Sequence, residues 1–321
     1  MLAATIDKYG TTDNIIVKEV PKPKCPPDNV LIKIMASSVN DYDWSLVRGK
    51  PAIYRLLFGL TKPKSPILGM EMSGIIEEVG SEVEGFKVGD RVMSDTSDYS
   101  FGTFAEYLPL KPKALNKIPE TLSFIEAAAI PHAFALAYQG LVKLGEITQG
   151  MDVLINGAGG GVGMFAFGIA KSFGCKVTGV DSGEKLQKMK AAGFDLVIDY
   201  KTQDFTSLSE KFDLILDAKT SFWPRKYKKA LKERGKYITV GGSLPRLFAC
   251  FINKHTFSRF TDKKIDVLAV KTNQDVDQVL RLIAQSNIKF NIELHKGLKS
   301  TSNAIQRFGN AEHYGKIVVE V

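Results

Sequence analysis

The sequence predicts an α/β chain in which a doubly wound parallel sheet is joined to a separate β-rich domain. Three observations carry this expectation. From about residue 150 six short apolar runs recur with helical patterns between most of them. The first of these runs flows into a glycine-rich turn that opens a helix. Residues 1–117 read instead as strands and turns. At ~150 residues per domain, 321 residues make about two domains.

In chain order, VLIKIMASSVN (30–40) is a strand entering a loop, GMEMSGIIEEVGSEV (69–83) an extended segment punctuated by glycines, and KVGDRVMS (87–94) a strand after a turn. YRLLFGL (54–60) is an apolar insertion suited to a short helix. Near residue 118 the pattern changes. SFIEAAAIPHAFALAYQGLVKLG (123–145) is helical in composition, with an expected interruption at Pro131. The strand candidates that follow are DVLIN (152–156), KVTGVD (176–181), LVIDY (196–200), LILDA (214–218), YITVGG (237–242) and DVLAV (266–270). VDQVLRLIAQ (276–285) reads as a helix, Asn303–Phe308 as another, and KIVVEV (316–321) as the closing strand, returning to the first domain.

Bulk properties exclude several classes. Apolar residues make 44% and charged residues 24%, as in an ordinary globular chain. No apolar run reaches the ~18 residues of a membrane span, and MLAATIDKYG lacks the basic-then-apolar pattern of a secretory signal. Cys25, Cys175 and Cys250 are odd in number, far apart and form no CxxC pair, which fits a reducing, cytoplasmic setting and argues against a cysteine-rich zinc lobe. Net charge is +8, yet the one loose basic cluster, Arg225 to Arg234, reads as the solvated face of a helix after Pro224 and not as a nucleic-acid surface.

The strongest motif is VLINGAGGGVGMFAFGIAKSFG, from Val153 to Gly174. A buried-type strand, a glycine loop, a helix and a second strand ending at Asp181 form the βαβ context of a dinucleotide fingerprint. The strict GxGxxG spacing is not met; Gly157, Gly160 and Gly163 form a GxxGxxG variant. Glycines allow the tight turn and bring backbone N–H groups, with the positive end of the helix, to a pyrophosphate. Gly157, Ala158, Gly160, Gly161, Val162 and Gly163 are therefore assigned to cofactor binding, with Gly241 at the end of YITVGG.

SSVNDYDWSLVRG (37–49), LGMEMSGIIEEVGSEVEGFKVGDRV (68–92), FGTFAEY (101–107), EAAAIPHAFALAYQGL (126–141), VLINGAGGGVG (153–163), VTGVDSGEKL (177–186), FDLVIDYKTQDF (194–205) and GKIVVEV (315–321) occur in an order that resembles the medium-chain dehydrogenase/reductase superfamily, in its zinc-free quinone oxidoreductase branch. The resemblance covers essentially the whole chain. It implies a GroES-like catalytic domain over 1–118, a Rossmann domain over 119–272 and a catalytic-domain return over 273–321. It also implies a homodimer, often formed through the Rossmann edge strand, here DVLAV.

In the superfamily's zinc enzymes the first cysteine ligand would fall at Asn40, the histidine at Met70 and the second cysteine at His132. Only His132 is a ligand type, against the three a catalytic zinc normally needs, so no metal is expected. The resemblance then implies hydride transfer from NAD(P)H to a quinone or an α,β-unsaturated carbonyl, with the cofactor carrying the chemistry. Asn40 resembles the asparagine beside the nicotinamide, or is a turn residue. Asp43 matches an acidic residue three positions later, or is a cap carboxylate. Tyr42 is a candidate proton donor, or a packed loop tyrosine. Lys316 would reach the cofactor or face solvent.

Two signals on cofactor choice conflict. Asp181, ending the second strand, suits a ribose 2′-OH and NAD. Ser182, Lys185 and Tyr200 match residues that hold the 2′-phosphate in NADPH-using relatives, although Lys185 also reads as a surface lysine. The cofactor stays NAD(P)H at this point. Two other readings stay open as well: an aldehyde or alcohol oxidoreductase on the same scaffold, and a low-turnover cofactor-binding interaction protein.

Overall fold

The computed structural model describes residues 1–99, 101–286 and 288–321, with the backbone alone for 255–260. The chain divides into two compact units. Met1–His132, Thr272–Val276 and Ile292–Val321 form the first; Ala133–Lys271 and Asp277–Asn291 form the second.

The first unit is built on a sheet whose strands lie in the order Ile292–Lys296, Lys316–Glu320, Val30–Ser38, Glu71–Val79, Arg91–Asp95 and Asn116–Lys117. Tyr107–Leu110 also pairs with Val30–Ser38. All pairings are antiparallel except that of the two C-terminal strands. One face packs Val30, Ile32, Ile34, Met72, Ile76 and Val92 into a core, each such side chain stabilising by roughly 1.5–3 kcal/mol. The register matters for function. Ser38 pairs with Val318, Ser37 with Met72 and Glu71 with Asp95. Continued two residues past the ladder, the first of these pairings sets Asn40 opposite Lys316, so four distant segments of sequence meet at one end of the sheet.

The second unit holds a wholly parallel sheet in the order Leu196–Asp199, Lys176–Asp181, Asp152–Asn156, Phe212–Asp217, Leu231–Thr239 and Lys264–Val267. The order in which strands are added reverses between Asp152–Asn156 and Phe212–Asp217, the topological switch point at which such sheets bind ligands. The three central strands, Lys176–Asp181, Asp152–Asn156 and Phe212–Asp217, are buried on both faces, which explains their continuous apolar runs. Two strand expectations are shifted. The fifth strand begins at Leu231, ahead of YITVGG, and the sixth ends at Val267 inside DVLAV, because their ladder runs only from Lys236–Lys264 to Thr239–Val267.

The interruption expected at Pro131 takes the form of a π-helical turn. The segment runs as Phe124–Ala128, a π-helical stretch Ile130–Phe134, Ala135–Tyr138 and a second π-helical stretch Gln139–Leu144. The widened turn absorbs the missing proline N–H, and the Glu71 carboxylate takes the His132 N–H at 2.7 Å. Among the described residues no helix is long and apolar enough to cross a membrane.

Candidate functional site

In the first unit the convergence at the sheet end builds a buried polar cluster. Asn40 caps the helix Asp41–Arg48 and is 4% exposed. Its Nδ2 donates to Glu71 Oε2 (2.9 Å) and to the Ser38 carbonyl (3.3 Å), while its Oδ1 accepts from Lys316 Nζ (2.5 Å). Lys316 Nζ also lies 2.8 Å from Glu71 Oε2, and Glu71 is fully buried. Ser38 Oγ adds a further donor to Glu71 Oε2 (2.7 Å). With the His132 N–H on Oε1, the carboxylate is thus held by three neutral donors and one cation, which is what a charge removed from water requires. Lys316 does not face solvent, and the sequence reading missed Glu71 altogether.

Asp43 is fully buried and accepts the N–H groups of Asn40 (2.8 Å) and Gly69 (3.1 Å). Burial pushes its carboxyl up to about 7, against those two donors and the charge of Lys316. Its bonds are those of the cap carboxylate, clamping the helix start to the turn before Glu71. Tyr42, the residue before Asp43 in the same turn, is half-buried between Tyr54 and Phe101. Burial, then the charges of Asp95, Asp41 and Asp98, raise its phenol above the ordinary value.

His132 Nδ1 lies 2.7 Å from Asp95 Oδ2, whose other oxygen accepts the Ser97 N–H at 2.9 Å. Burial disfavours the imidazolium, but the hydrogen bond and charge of Asp95 outweigh it and raise the His132 pKa. A zinc ion does not fit this donor set. Of its three expected ligand positions, Asn40 is saturated by Glu71 and Lys316, Met70 is a fully buried thioether, and His132 alone offers a ring nitrogen.

In the second unit the glycine loop leaves Asn156 through Gly157, whose φ of +83° needs glycine. Gly157 and Ala158 N–H groups bond the Val180 carbonyl (2.9 and 3.1 Å), stitching the loop to the neighbouring strand. The helix Gly161–Ser172 starts at Gly160 with no side-chain cap. Its first-turn N–H groups, on Gly161, Val162 and Gly163, have no intrahelical acceptor. A Cβ on Gly163 would lie 2.4 Å from the Gly157 carbonyl oxygen, so only glycine lets helix and loop approach. This cradle fits the pyrophosphate of a dinucleotide.

Asp181 Oδ2 accepts the Gly159 N–H and Oδ1 the Ser182 N–H, both at 2.9 Å. Lys185 Nζ stands 3.8 Å from Asp181 Oδ1, both side chains 11% exposed. Burial lowers the Lys185 pKa, and Lys219 and Lys188 lower it further against the charge of Asp181. Lys185 is therefore no ordinary surface lysine. A Cβ on Gly157 would stand 3.3 Å from Lys219 Cε, so Lys219, absent from the sequence reading, lies along the loop. Its only sequence signal is its place just after LILDA. Tyr200 is 57% exposed, with its N–H on the Asp181 carbonyl (3.1 Å). Gly241 offers its carbonyl to Thr239 Oγ1 (2.9 Å) and to Thr220.

Comparison with known proteins agrees with this architecture. The alcohol dehydrogenase GroES-like domain family matches residues 26–120 and the zinc-binding dehydrogenase family residues 192–319. A 2-methylene-furan-3-one reductase of Solanum lycopersicum is 35% identical over 76% of this chain, and the match spans 63% of that protein's length. A chloroplastic quinone-oxidoreductase homolog of Spinacia oleracea is 29% identical over 97% of this chain and 95% of its own. A quinone oxidoreductase structure from Coxiella burnetii superposes with a TM-score of 0.86 and 26% identity, covering 100% of this chain and 99% of that one. With a GroES-like match in the first unit and a parallel-sheet glycine cradle in the second, the chain belongs to the medium-chain dehydrogenase/reductase superfamily, in its quinone oxidoreductase-like branch.

Proposed function

We propose that this chain is a zinc-independent, NAD(P)H-dependent reductase of quinones or α,β-unsaturated carbonyls. The observation that carries the reading is the donor set around Asn40. Where the superfamily's zinc enzymes hold a metal, this chain has an amide locked between a buried carboxylate and a buried ammonium. Polarisation of a substrate carbonyl then falls to hydrogen bonds, which suits an acceptor already activated by conjugation. The relatives named above are, by name, reductases of such acceptors.

The bound nicotinamide supplies the hydride. The residues of this chain bind, orient and move protons. Both Nδ2 hydrogens of Asn40 are committed, which leaves an Oδ1 lone pair as the group it can offer. Two side chains can return a proton to the reduced substrate: the phenol of Tyr42, and the imidazole of His132, whose Nδ1 is fixed on Asp95 and whose Nε2 has no hydrogen-bond partner among the described residues. For the cofactor we favour NADPH. Asp181 spends both oxygens on backbone N–H groups and pairs with Lys185, while Lys185 and Lys219 bring positive charge to the loop. A homodimer joined along Lys264–Val267 is supported by the edge position of that strand, and a cytoplasmic setting by three unpaired cysteines.

The test follows nicotinamide absorbance with both cofactors against quinones, enones, aldehydes and alcohols, with elemental analysis of the same preparation. Turnover confined to quinones or enones, unaffected by chelator and without stoichiometric zinc, is the expected result. Cofactor binding with no turnover on any acceptor would instead favour the binding-protein reading. Chelator-sensitive alcohol oxidation would favour the alternative enzyme.

A further inference from the structure

The apolar insertion of the first unit is anchored on one side and bare on the other. It folds as the helix Ile53–Phe58 with a turn after it. Tyr54 and Phe58 stack on each other (5.8 Å between centroids), Tyr54 meets Tyr42 edge-on (5.8 Å) and Phe58 meets Phe101 edge-on (5.4 Å). The hydroxyl of Tyr9 donates to the Gly59 carbonyl and the Lys64 N–H to the Phe58 carbonyl, both at 2.7 Å. These contacts fix the inner face and leave Leu56, Leu57 and Leu60 at 65%, 59% and 65% exposure, with Ile53 beside them. Four exposed large apolar side chains within eight residues are a grouping that suits an interaction site.

Charge identifies the partner. Residues 48–64 carry Arg48, Lys50, Arg55, Lys62 and Lys64 and no acidic residue. None of the five pairs with a carboxylate among the described residues; Arg48 lies instead over Trp44 and Arg55 over Tyr9, at 4.3 and 4.9 Å from the ring centroids. We propose that segment 50–64 docks this chain on an anionic lipid surface, with Leu56, Leu57 and Leu60 entering the acyl boundary and the lysines meeting the headgroups. A bilayer offers negative charge directly above an apolar phase, the same order that this segment presents. A second copy docked face to face would set like charges against each other. An apolar substrate under a closing lid would leave the cations unmatched.

The test is co-sedimentation of the full-length chain with vesicles of phosphatidylcholine alone or mixed with phosphatidylglycerol, without cofactor or substrate. The wild-type chain is expected to bind only the anionic vesicles, and less as salt rises. Lys62→Gln and Lys64→Gln should each weaken binding about 5-fold. Leu56→Ser combined with Leu57→Ser should abolish it while leaving the fold intact by circular dichroism, because both side chains are exposed. Absence of wild-type binding at low salt, or binding indifferent to the leucine changes, overturns the proposal. So does a raised KM of the leucine variant for a water-soluble enone without vesicles, which would make the segment a lid. A shift of that variant to a smaller oligomer in gel filtration, which would make it a self-association surface, does the same. Vesicle binding needs no turnover, so failure here leaves the proposed reaction untouched.

Discussion

Replacing Lys316 with methionine tests the buried cluster at its cation. The ammonium sits 2.8 Å from Glu71 Oε2, with 5% of the lysine side chain and none of the glutamate exposed. At that separation and an effective dielectric of ~20, the attraction is ~6 kcal/mol before desolvation is counted. Methionine fills a similar volume and spares the cost of burying a lysine, but strands the Glu71 charge. The His132 N–H, Ser38 Oγ and Asn40 Nδ2 donors would remain on that carboxylate. Breaking one partner out of a buried pair costs ~3–5 kcal/mol, and with three donors left the lower end is expected. Adding Glu71→Gln removes the stranded charge, so the double variant should recover ~1–2 kcal/mol relative to Lys316→Met alone. Urea denaturation of wild type, both single variants and the double variant measures the coupling. A coupling within ~0.5 kcal/mol of zero would show that the two side chains act independently and would refute the argument.

Other outcomes follow from individual side chains. The Asp43 carboxyl, raised by burial to about 7 from its ordinary 3.8, stays protonated in the folded chain at pH values between the two, where it is ionised in the unfolded one. Its contribution is therefore complete below pH ~4 and lost as pH rises to ~7, a decline of ~4 kcal/mol. Asp43→Asn should lack that slope, as urea denaturation between pH 4 and 8 would reveal; parallel profiles would contradict it. Asp181→Ser should free Lys185 and raise the NADPH-to-NADH ratio of kcat/KM ~10-fold, and Lys185→Ala should lower it, an effect that shrinks in high salt. An unchanged ratio in both variants would separate these residues from cofactor choice. Tyr42→Phe should cut turnover by ~10²-fold if its phenol returns the proton, whereas near-normal turnover in steady-state assays assigns that step to His132 or water.

The sequence by itself made several features readable. Strands such as Asp152–Asn156 and Lys176–Asp181, and the glycine turn between them, are written in residues adjacent along the chain. Periodicity and glycine placement act through local backbone geometry, so they survive without knowledge of the rest of the fold. The chemistry of the first unit is a different matter. Asn40 was legible as a candidate, but its partners Glu71 and Lys316 lie 31 and 276 residues away. Only the antiparallel pairing of Ser38 with Val318, and of Ser37 with Met72, decides that they meet. Lys185 looked like a surface lysine because its helix carries others, and burial against Asp181 and Gly159 is a property of the packed sheet. Pro131 reads as an interruption of the helix, but only the structure shows its form, a π-helical turn whose next N–H goes to the Glu71 carboxylate. Local sequence sets which backbone shapes are cheap. Strand register, fixed by residues far apart, sets which side chains must share the little polar space a buried sheet end allows.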